Sequence, residues 1–362
     1  MKHLLFFICS LTLLNAEILR VYLGTNGDGI YGTFLDTEKG TLSEAEKLVE
    51  IPQPVFLEKG KNGILYSTTN DKKKGGVAAF KIGENGGLSL LNQRETGAAG
   101  AFHVSLDQTG KVLLFVNYRG ESSGSFLLEK DGSISEQRDL KMHEGSSVNK
   151  KRQKIPRPHS IYMGPENKFA YVPDLGTDEI WTYALNIETG ALTLVDKAAH
   201  PKGGGPRHMK FGKNGKQAYV LSELTVDTVV YDRNPETGKL KQRSTVSNFT
   251  AGKDKTKMTC SEIRVSADGK FLYVANRDLD NKKRDSVSVF SVKENGDIHL
   301  IQEIPTKTWI PVNINLTPDG KWLLAVGLKT NEVSLFSVDT ETGKLTATNQ
   351  QISVPAPMCI EF

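Results

Sequence analysis

Residues 261–298, SEIRVSADGKFLYVANRDLDNKKRDSVSVFSVKENGDI, decide how the rest of the chain is read. Glu262-Ile-Arg-Val265 and Phe271-Leu-Tyr-Val-Ala275 are apolar-rich segments joined by the turn Ala267-Asp-Gly269, which is a hairpin signal. After a charged loop, Ser286-Val-Ser-Val-Phe290 alternates polar and apolar with period two, and Glu294-Asn-Gly296 turns the chain again. Such a unit cannot bury its own apolar faces, so it needs neighbours.

The neighbours are copies of itself. Counting back seven residues from each turn gives first strands that begin His103-Val-Ser-Leu, Ser160-Ile-Tyr-Met, His208-Met-Lys-Phe, Glu262-Ile-Arg-Val and Asn313-Ile-Asn-Leu. Val55-Phe-Leu is a weaker copy and Cys359-Ile-Glu-Phe362 a truncated one. Second strands recur in step: Val21-Tyr-Leu-Gly, Leu65-Tyr-Ser-Thr, Leu113-Leu-Phe-Val, Ala170-Tyr-Val-Pro, Ala218-Tyr-Val-Leu, Leu272-Tyr-Val-Ala and Leu323-Leu-Ala-Val. Each leads to a third strand and a glycine turn, as in Glu236-Thr-Gly238 and Glu341-Thr-Gly343. A period of roughly 50 residues with four short strands per repeat is the signature of a β-propeller. The N-terminal repeat lacks a first strand and the C-terminal repeat has only that strand. Pairing 358–362 with the strand around Val21 completes a seventh blade and leaves no open edge. The fold expected is therefore all-β: one seven-bladed propeller of four-stranded antiparallel blades over residues 17–362, closed by its N- and C-terminal strands.

Residues 1–16 stand apart. Met1-Lys-His precedes the apolar run Leu4 to Leu14, which ends at Asn15-Ala16, the pattern of a secretory signal peptide cleaved after Ala16. An uncleaved anchor is the alternative, since Leu14 is large for its place before the cut. Cleavage implies a periplasmic or secreted protein with no membrane association of its own. Cys260 and Cys359 would then be the only cysteines left, too far apart on the ring to pair and expected as buried thiols. A net charge of +4, with no interleaving of aromatic and basic residues, gives no case for nucleic acid. A monomer is expected.

The long insertions, 141–156, 250–258 and 277–285, all fall on the rim where first strands begin and second strands end. They carry Lys150, Lys151, Arg152, Lys154, Lys253, Lys255, Lys257, Lys282, Lys283 and Arg284, an expected basic funnel for small anions. The same rim gathers residues with chemistry. His103, His208 and Glu262 share one repeat position, and His159 and Arg207 the position before it. Asn117, Asp174, Ser222 and Asn276 share the end of the second strand, and Glu223 and Arg277 the next position. Each could equally be a hydrogen bond between blades, a reading strongest for Asp174 and Asn276 and weakest for Glu223 and Arg277. The three histidines could hold a metal, but they come from three blades with no close-spaced pair, so no metal or other cofactor is expected. Gly203 to Gly205 is no phosphate-binding P-loop, because no Gly-Lys-Ser/Thr follows it.

Several segments go beyond generic blade turns: Tyr22-Leu-Gly-Thr25, Val116-Asn-Tyr118, Gly145-Ser-Ser-Val-Asn149 with Arg152-Gln153, and Pro158-His-Ser160. Others are Asp174-Leu-Gly-Thr-Asp178, Gly203-Gly-Gly-Pro-Arg-His208, Ser222-Glu-Leu224 and Ala275-Asn-Arg277. In this order they resemble the seven-bladed lactonase family, which includes bacterial propeller-type 6-phosphogluconolactonase and fungal carboxymuconate-lactonizing enzymes. The resemblance implies a catalytic set of His159, Arg207, Glu223 and Arg277. Substrate contacts are expected from His103, Arg157, His208, Glu262 and Asn276. Arg157 stands where many members carry a second histidine. Trp309-Ile-Pro-Val-Asn313 and Ala325-Val-Gly-Leu328 also depart from the family pattern, so the substrate is left open.

Lactone opening needs a water, a base and cationic donors for the oxyanion. Glu223 or His159 would serve as base, with Arg207 and Arg277 for the oxyanion and for a phosphate or carboxylate. The expected activity is metal-independent hydrolysis of a sugar lactone, 6-phosphogluconolactonase-like. An exported copy would meet an anionic lactone other than phosphogluconolactone. The alternative is a catalytically silent propeller that binds a small anion or a protein on the same rim.

Overall fold

The structure is a computed structural model that describes residues 18–71 and 74–362; the signal-peptide reading of 1–16 lies outside them. The described residues form seven antiparallel sheets and no helix. Chain ends share the first blade. Its inner strand is Pro357–Glu361, which pairs with Ile18–Thr25, followed by Gly29–Asp36 and the outer pieces Thr41–Leu42 and Glu46–Glu50. Tyr22 faces Glu361, Leu23 faces Ile360 and Gly24 faces Cys359. Gly24 is required there, because a Cβ would lie 2.4 Å from the Pro54 carbonyl oxygen. Six further blades follow in chain order, with inner strands Leu57–Lys59, Ala101–Leu106, Tyr162–Met163, Pro206–Phe211, Met258–Val265 and Pro311–Leu316.

The recurring tyrosine of the second strand and the glycine of the outer turn explain one another. Tyr66, Tyr219 and Tyr273 are buried between blades, and their hydroxyls donate to the carbonyls of Gly132, Gly296 and Gly343 in the next blade, at 2.9, 3.1 and 3.0 Å. A ring buried this way fills the space between twisted sheets and still satisfies its polar end. Apolar layers complete each interface, for example Tyr273, Val287 and Val289 against Ile314, Leu323 and Phe336.

One inner strand is shorter than its repeat suggests. In the fourth blade only Tyr162–Met163 pair regularly, with an isolated bridge between Pro158 and Asp174 before them. The His159 N–H reaches the Pro173 carbonyl at 3.0 Å, and the Ile161 N–H reaches Nδ1 of His103 at 3.4 Å. This irregular entry is what carries His159. Cys260 and Cys359 are buried free thiols, as their separation on the ring requires.

Candidate active site

Two aspartates set the positions of the charged residues at the upper mouth of the channel. Asp174 ends the second strand Phe169–Asp174. Its Oδ1 accepts the backbone N–H of Arg157, Gly176 and Thr177, and its Oδ2 lies 2.8 Å from His143 Nδ1. Both ends of the long 143–157 loop are thereby fixed. Asp178, four residues on, adopts a left-handed φ of 55°, a conformation aspartate tolerates better than most residues. Its Oδ1 accepts Gln153 Nε2 at 2.6 Å and the Gly205 N–H at 2.7 Å. Its Oδ2 accepts the Ser147 hydroxyl at 2.5 Å and the Gly203 N–H at 2.6 Å. One buried carboxylate thus holds together the loop that bears Arg152 and the glycine run that precedes Arg207. Gly205 has φ +67°, and a Cβ would sit 2.9 Å from Leu224 and 3.1 Å from Leu175.

These supports converge on Glu223, 3% exposed and just after the strand Gln217–Ser222. Arg152 donates to its Oε1 at 2.7 Å. Arg207 Nε donates to Oε2 at 3.0 Å, Arg277 Nη2 lies 3.3 Å from the same oxygen, and His159 Nε2 lies 3.9 Å from it. The arginines are themselves anchored. Arg207 Nη1 donates to the Ser261 carbonyl, Arg277 Nη2 to the Cys260 carbonyl at 3.0 Å, and Arg152 Nη2 to the Tyr118 hydroxyl at 3.4 Å. Among the side chains around Glu223, two buried nitrogens have no hydrogen-bond partner, Nδ1 of His159 and Nε of Arg277. The His159 ring sits edge-on to Phe102, Tyr118 and His208, with centroids 4.9, 5.2 and 5.2 Å away.

Electrostatics divide the two candidate bases. Burial alone would raise the Glu223 pKa, but the charges of Arg277, Arg152 and Arg207 outweigh it and hold the carboxyl down at about 2. His159 is pushed well below the ordinary histidine value, first by burial and then by Arg207, His208, Arg277 and Arg152. At neutral pH the cluster is therefore an ionised carboxylate, three guanidiniums and a neutral imidazole, with positive charge in excess.

The sequence-predicted set His159, Arg207, Glu223 and Arg277 is brought together within one cluster. The other expected contacts are distributed differently. Arg157 stacks its guanidinium 5.1 Å above the Tyr118 ring, at the margin of the cluster. His208 lies between His159 and a deeper layer, and its Nδ1 is 3.0 Å from Glu262 Oε1. Burial lowers the His208 pKa to about 4 despite that carboxylate. Glu262 is fully buried and spent on His208, Asn313 and Arg264. His103 packs on Phe56 with centroids 3.9 Å apart and on His208 at 5.5 Å, so Phe56, His103 and His208 form a waist across the channel. Asn276 is used inside its own region, with Nδ2 on Ser286 and Ser288 and its carbonyl facing Asn248. The expected basic funnel is neutralised only in part. Lys253 pairs with Glu303, Lys255 with Asp227, Lys282 with Asp280, and Arg284 with Asp254 and Asp278. Arg152 is the member of that group that enters the site, and the sequence reading had not separated it from its neighbours. Its signal was the Arg152-Gln153 pair, in which Gln153 ties the loop to Asp178.

A family model described as a seven-bladed β-propeller lactonase matches residues 20–362. The chain belongs to that lactonase family. Among similar proteins, this lactonase is 33% identical over 354 residues to a Bacillus subtilis 6-phosphogluconolactonase, covering 94% of this chain and 97% of the relative. It is 32% identical over 336 residues to a Formosa agariphila 6-phosphogluconolactonase, with coverage of 91% and 93%. A crystal structure of a Lactobacillus plantarum protein superimposes with a TM-score of 0.88 at 27% identity, over 96% of this chain and 99% of that one. Among the described residues of this lactonase, no group of three or more His, Cys, Asp or Glu side chains is arranged to hold a metal ion.

Proposed function

We propose that this lactonase hydrolyses a sugar lactone bearing a phosphate or carboxylate, with His159 as the base and Glu223 as the organiser of the arginines. The observation that carries the reading is the convergence of Arg152, Arg207 and Arg277 on one buried carboxylate beside a neutral histidine. Blade packing does not require three guanidiniums at one point, whereas an anionic substrate and a developing oxyanion do. The names of the two relatives favour a phosphorylated gluconolactone; the N-terminal segment 1–16 favours a different anionic lactone, met outside the cytoplasm.

The roles follow from the partners. Glu223 with a pKa of about 2 is too weak a base to take a proton from water at neutral pH. A carboxylate 3.9 Å from Nε2 favours the tautomer with the proton on that nitrogen, which leaves the unpartnered Nδ1 lone pair for a water. That water attacks the lactone carbonyl carbon as its proton passes to His159 and the carbonyl electrons move onto oxygen. Arg277, whose Nε is unpartnered, and Arg207 stabilise the oxyanion. Collapse breaks the ring C–O bond, and the imidazolium, stabilised by Glu223, returns its proton to the departing alkoxide. The products are the free acid and a restored histidine. Arg152, the most exposed of the three with 39% of its side chain accessible, meets the phosphate or carboxylate at the mouth.

The test is a panel of phosphorylated, carboxylated and neutral sugar lactones with purified protein in the presence of chelator. Turnover of an anionic member above the spontaneous rate is expected. Activity lost on chelation would replace this mechanism with a metal-assisted one. No turnover on any member would favour a propeller that only binds at this mouth.

A further inference from the structure

Beyond the waist of Phe56, His103 and His208, the channel opens into a second cavity of about 400 Å³ that all seven inner strands line. Its charges are sorted by blade. Glu361 and Glu58 come from the inner strands of the adjacent first and second blades, and Lys210 and Arg264 from those of the adjacent fifth and sixth. On a ring of seven these pairs face each other across the channel, an acidic wall opposite a basic one.

Neither wall is neutralised by the other. Among the described residues Lys210 forms no ion pair; its ammonium sits 4.5 Å over the Tyr162 ring. Glu58 likewise forms no ion pair, and Glu361 accepts only the Lys59 backbone N–H, at 3.2 Å. Arg264 is partly committed, to Glu262 at 2.7 Å and Asn315 at 2.8 Å. Two further lining residues, His103 and Ser105, are 1% and 6% exposed, and His103 Nε2 and Ser105 Oγ have no hydrogen-bond partner. Polar atoms this buried are nearly always paired.

We propose that this lower cavity binds a small zwitterion, its ammonium against Glu58 and Glu361 and its carboxylate against Lys210 and Arg264. A simple anion leaves the carboxyl pair without a partner, and a simple cation leaves the basic pair without one. A molecule with both charges at its ends satisfies both walls at once and supplies partners for His103 and Ser105. Burial raises the pKa of both carboxyls and lowers that of Lys210, so each gains from an opposite charge brought against it. The site is separate from the Glu223 cluster, and its occupancy is read without lactone turnover.

Titration calorimetry on the full chain with glycine, β-alanine, 4-aminobutyrate and 6-aminohexanoate tests this, with acetate and propylamine as singly charged controls. Saturable binding is expected for at least one length, at least tenfold tighter than either control. Lys210→Met and Glu361→Gln should each weaken it tenfold or more, and Lys210→Met should leave lactone turnover unchanged. A thermal midpoint for each variant separates lost binding from lost fold, which matters for Glu361 because its strand closes the ring. The proposal is overturned if no zwitterion binds saturably, if acetate or propylamine binds as well, or if Lys210→Met, still folded, keeps full affinity.

Discussion

Replacing Glu223 with glutamine keeps the side chain's shape and removes the one negative charge among three guanidiniums. A carboxyl whose pKa falls from an ordinary 4.5 to about 2 on folding contributes about 3 kcal/mol of stability at neutral pH. The substitution should forfeit most of that, a loss of the same order as the roughly 3–5 kcal/mol seen when one partner of a buried ion pair is removed. The pH dependence identifies the cause. With a depressed folded-state pKa, the contribution is fully present above pH 4.5 and is lost as pH falls from there towards 2. Urea unfolding of wild type and Glu223→Gln should therefore differ by about 3 kcal/mol at pH 7 and by about 2 kcal/mol at pH 3.5, where the carboxyl of the unfolded wild-type chain is already largely protonated and that of the folded chain is not. Equal stability at pH 7, or a gap that stays constant across this range, would refute the claim that the carboxylate is held by the arginines.

Three further outcomes follow from the same geometry. His159→Gln should lower kcat by about 10²–10⁴-fold; the wild-type rate should stay flat as pH falls through 6.5 and drop only in more acid solution, because the His159 pKa is depressed, and a drop centred at 6.5 or above would assign the base elsewhere. Arg277→Ala should weaken binding of an anionic lactone tenfold or more and also lower stability by about 1–3 kcal/mol, since its Nη2 holds both the Cys260 carbonyl and Glu223; a change in stability alone would make it a purely structural residue. Cell fractionation with N-terminal sequencing should find the chain outside the cytoplasm beginning at Glu17, and a cytosolic chain that retains Met1 would return the substrate to ordinary sugar-phosphate metabolism.

Repeat register made the ring and its closure legible and put His159, Arg207, Glu223 and Arg277 on one rim, because strand period and turn glycines are local signals and equivalent positions in successive blades share that rim; the family resemblance singled those four out. Register fails where a residue lies outside the repeat. Arg152 sits on an insertion with no counterpart, and its place depends on Gln153 and Ser147 finding Asp178, 25 and 31 residues away. Register also cannot set depth: His103, His208 and Glu262 lie on inner strands as expected, each strand starting two to four residues earlier, yet their side chains form the waist and the layer beneath it. The partial quenching of the basic funnel was hidden for a third reason. The carboxylates that quench Lys253 and Lys255, Glu303 and Asp227, lie dozens of residues away in sequence. Asn276 is spent on hydrogen bonds, as its alternative reading had it, but its Nδ2 bonds lie within its own blade and not between blades.

The strand that seals the ring, Pro357–Glu361, is the last in order along the chain, and it occupies an innermost position. During vectorial synthesis, Ile18–Thr25 must therefore wait with an unpaired edge while six other blades are made. For that interval the nascent protein is an open arc that offers a strand template to any neighbour. The arginine cluster draws only on the third to sixth blades and the loop between the third and fourth, so it can assemble within the arc. The lower cavity cannot, because Glu361 arrives with the seal. Truncation just before Pro357 would thus spare the upper mouth's components, delete half of the acidic wall below, and leave the edge exposed for the lifetime of the chain.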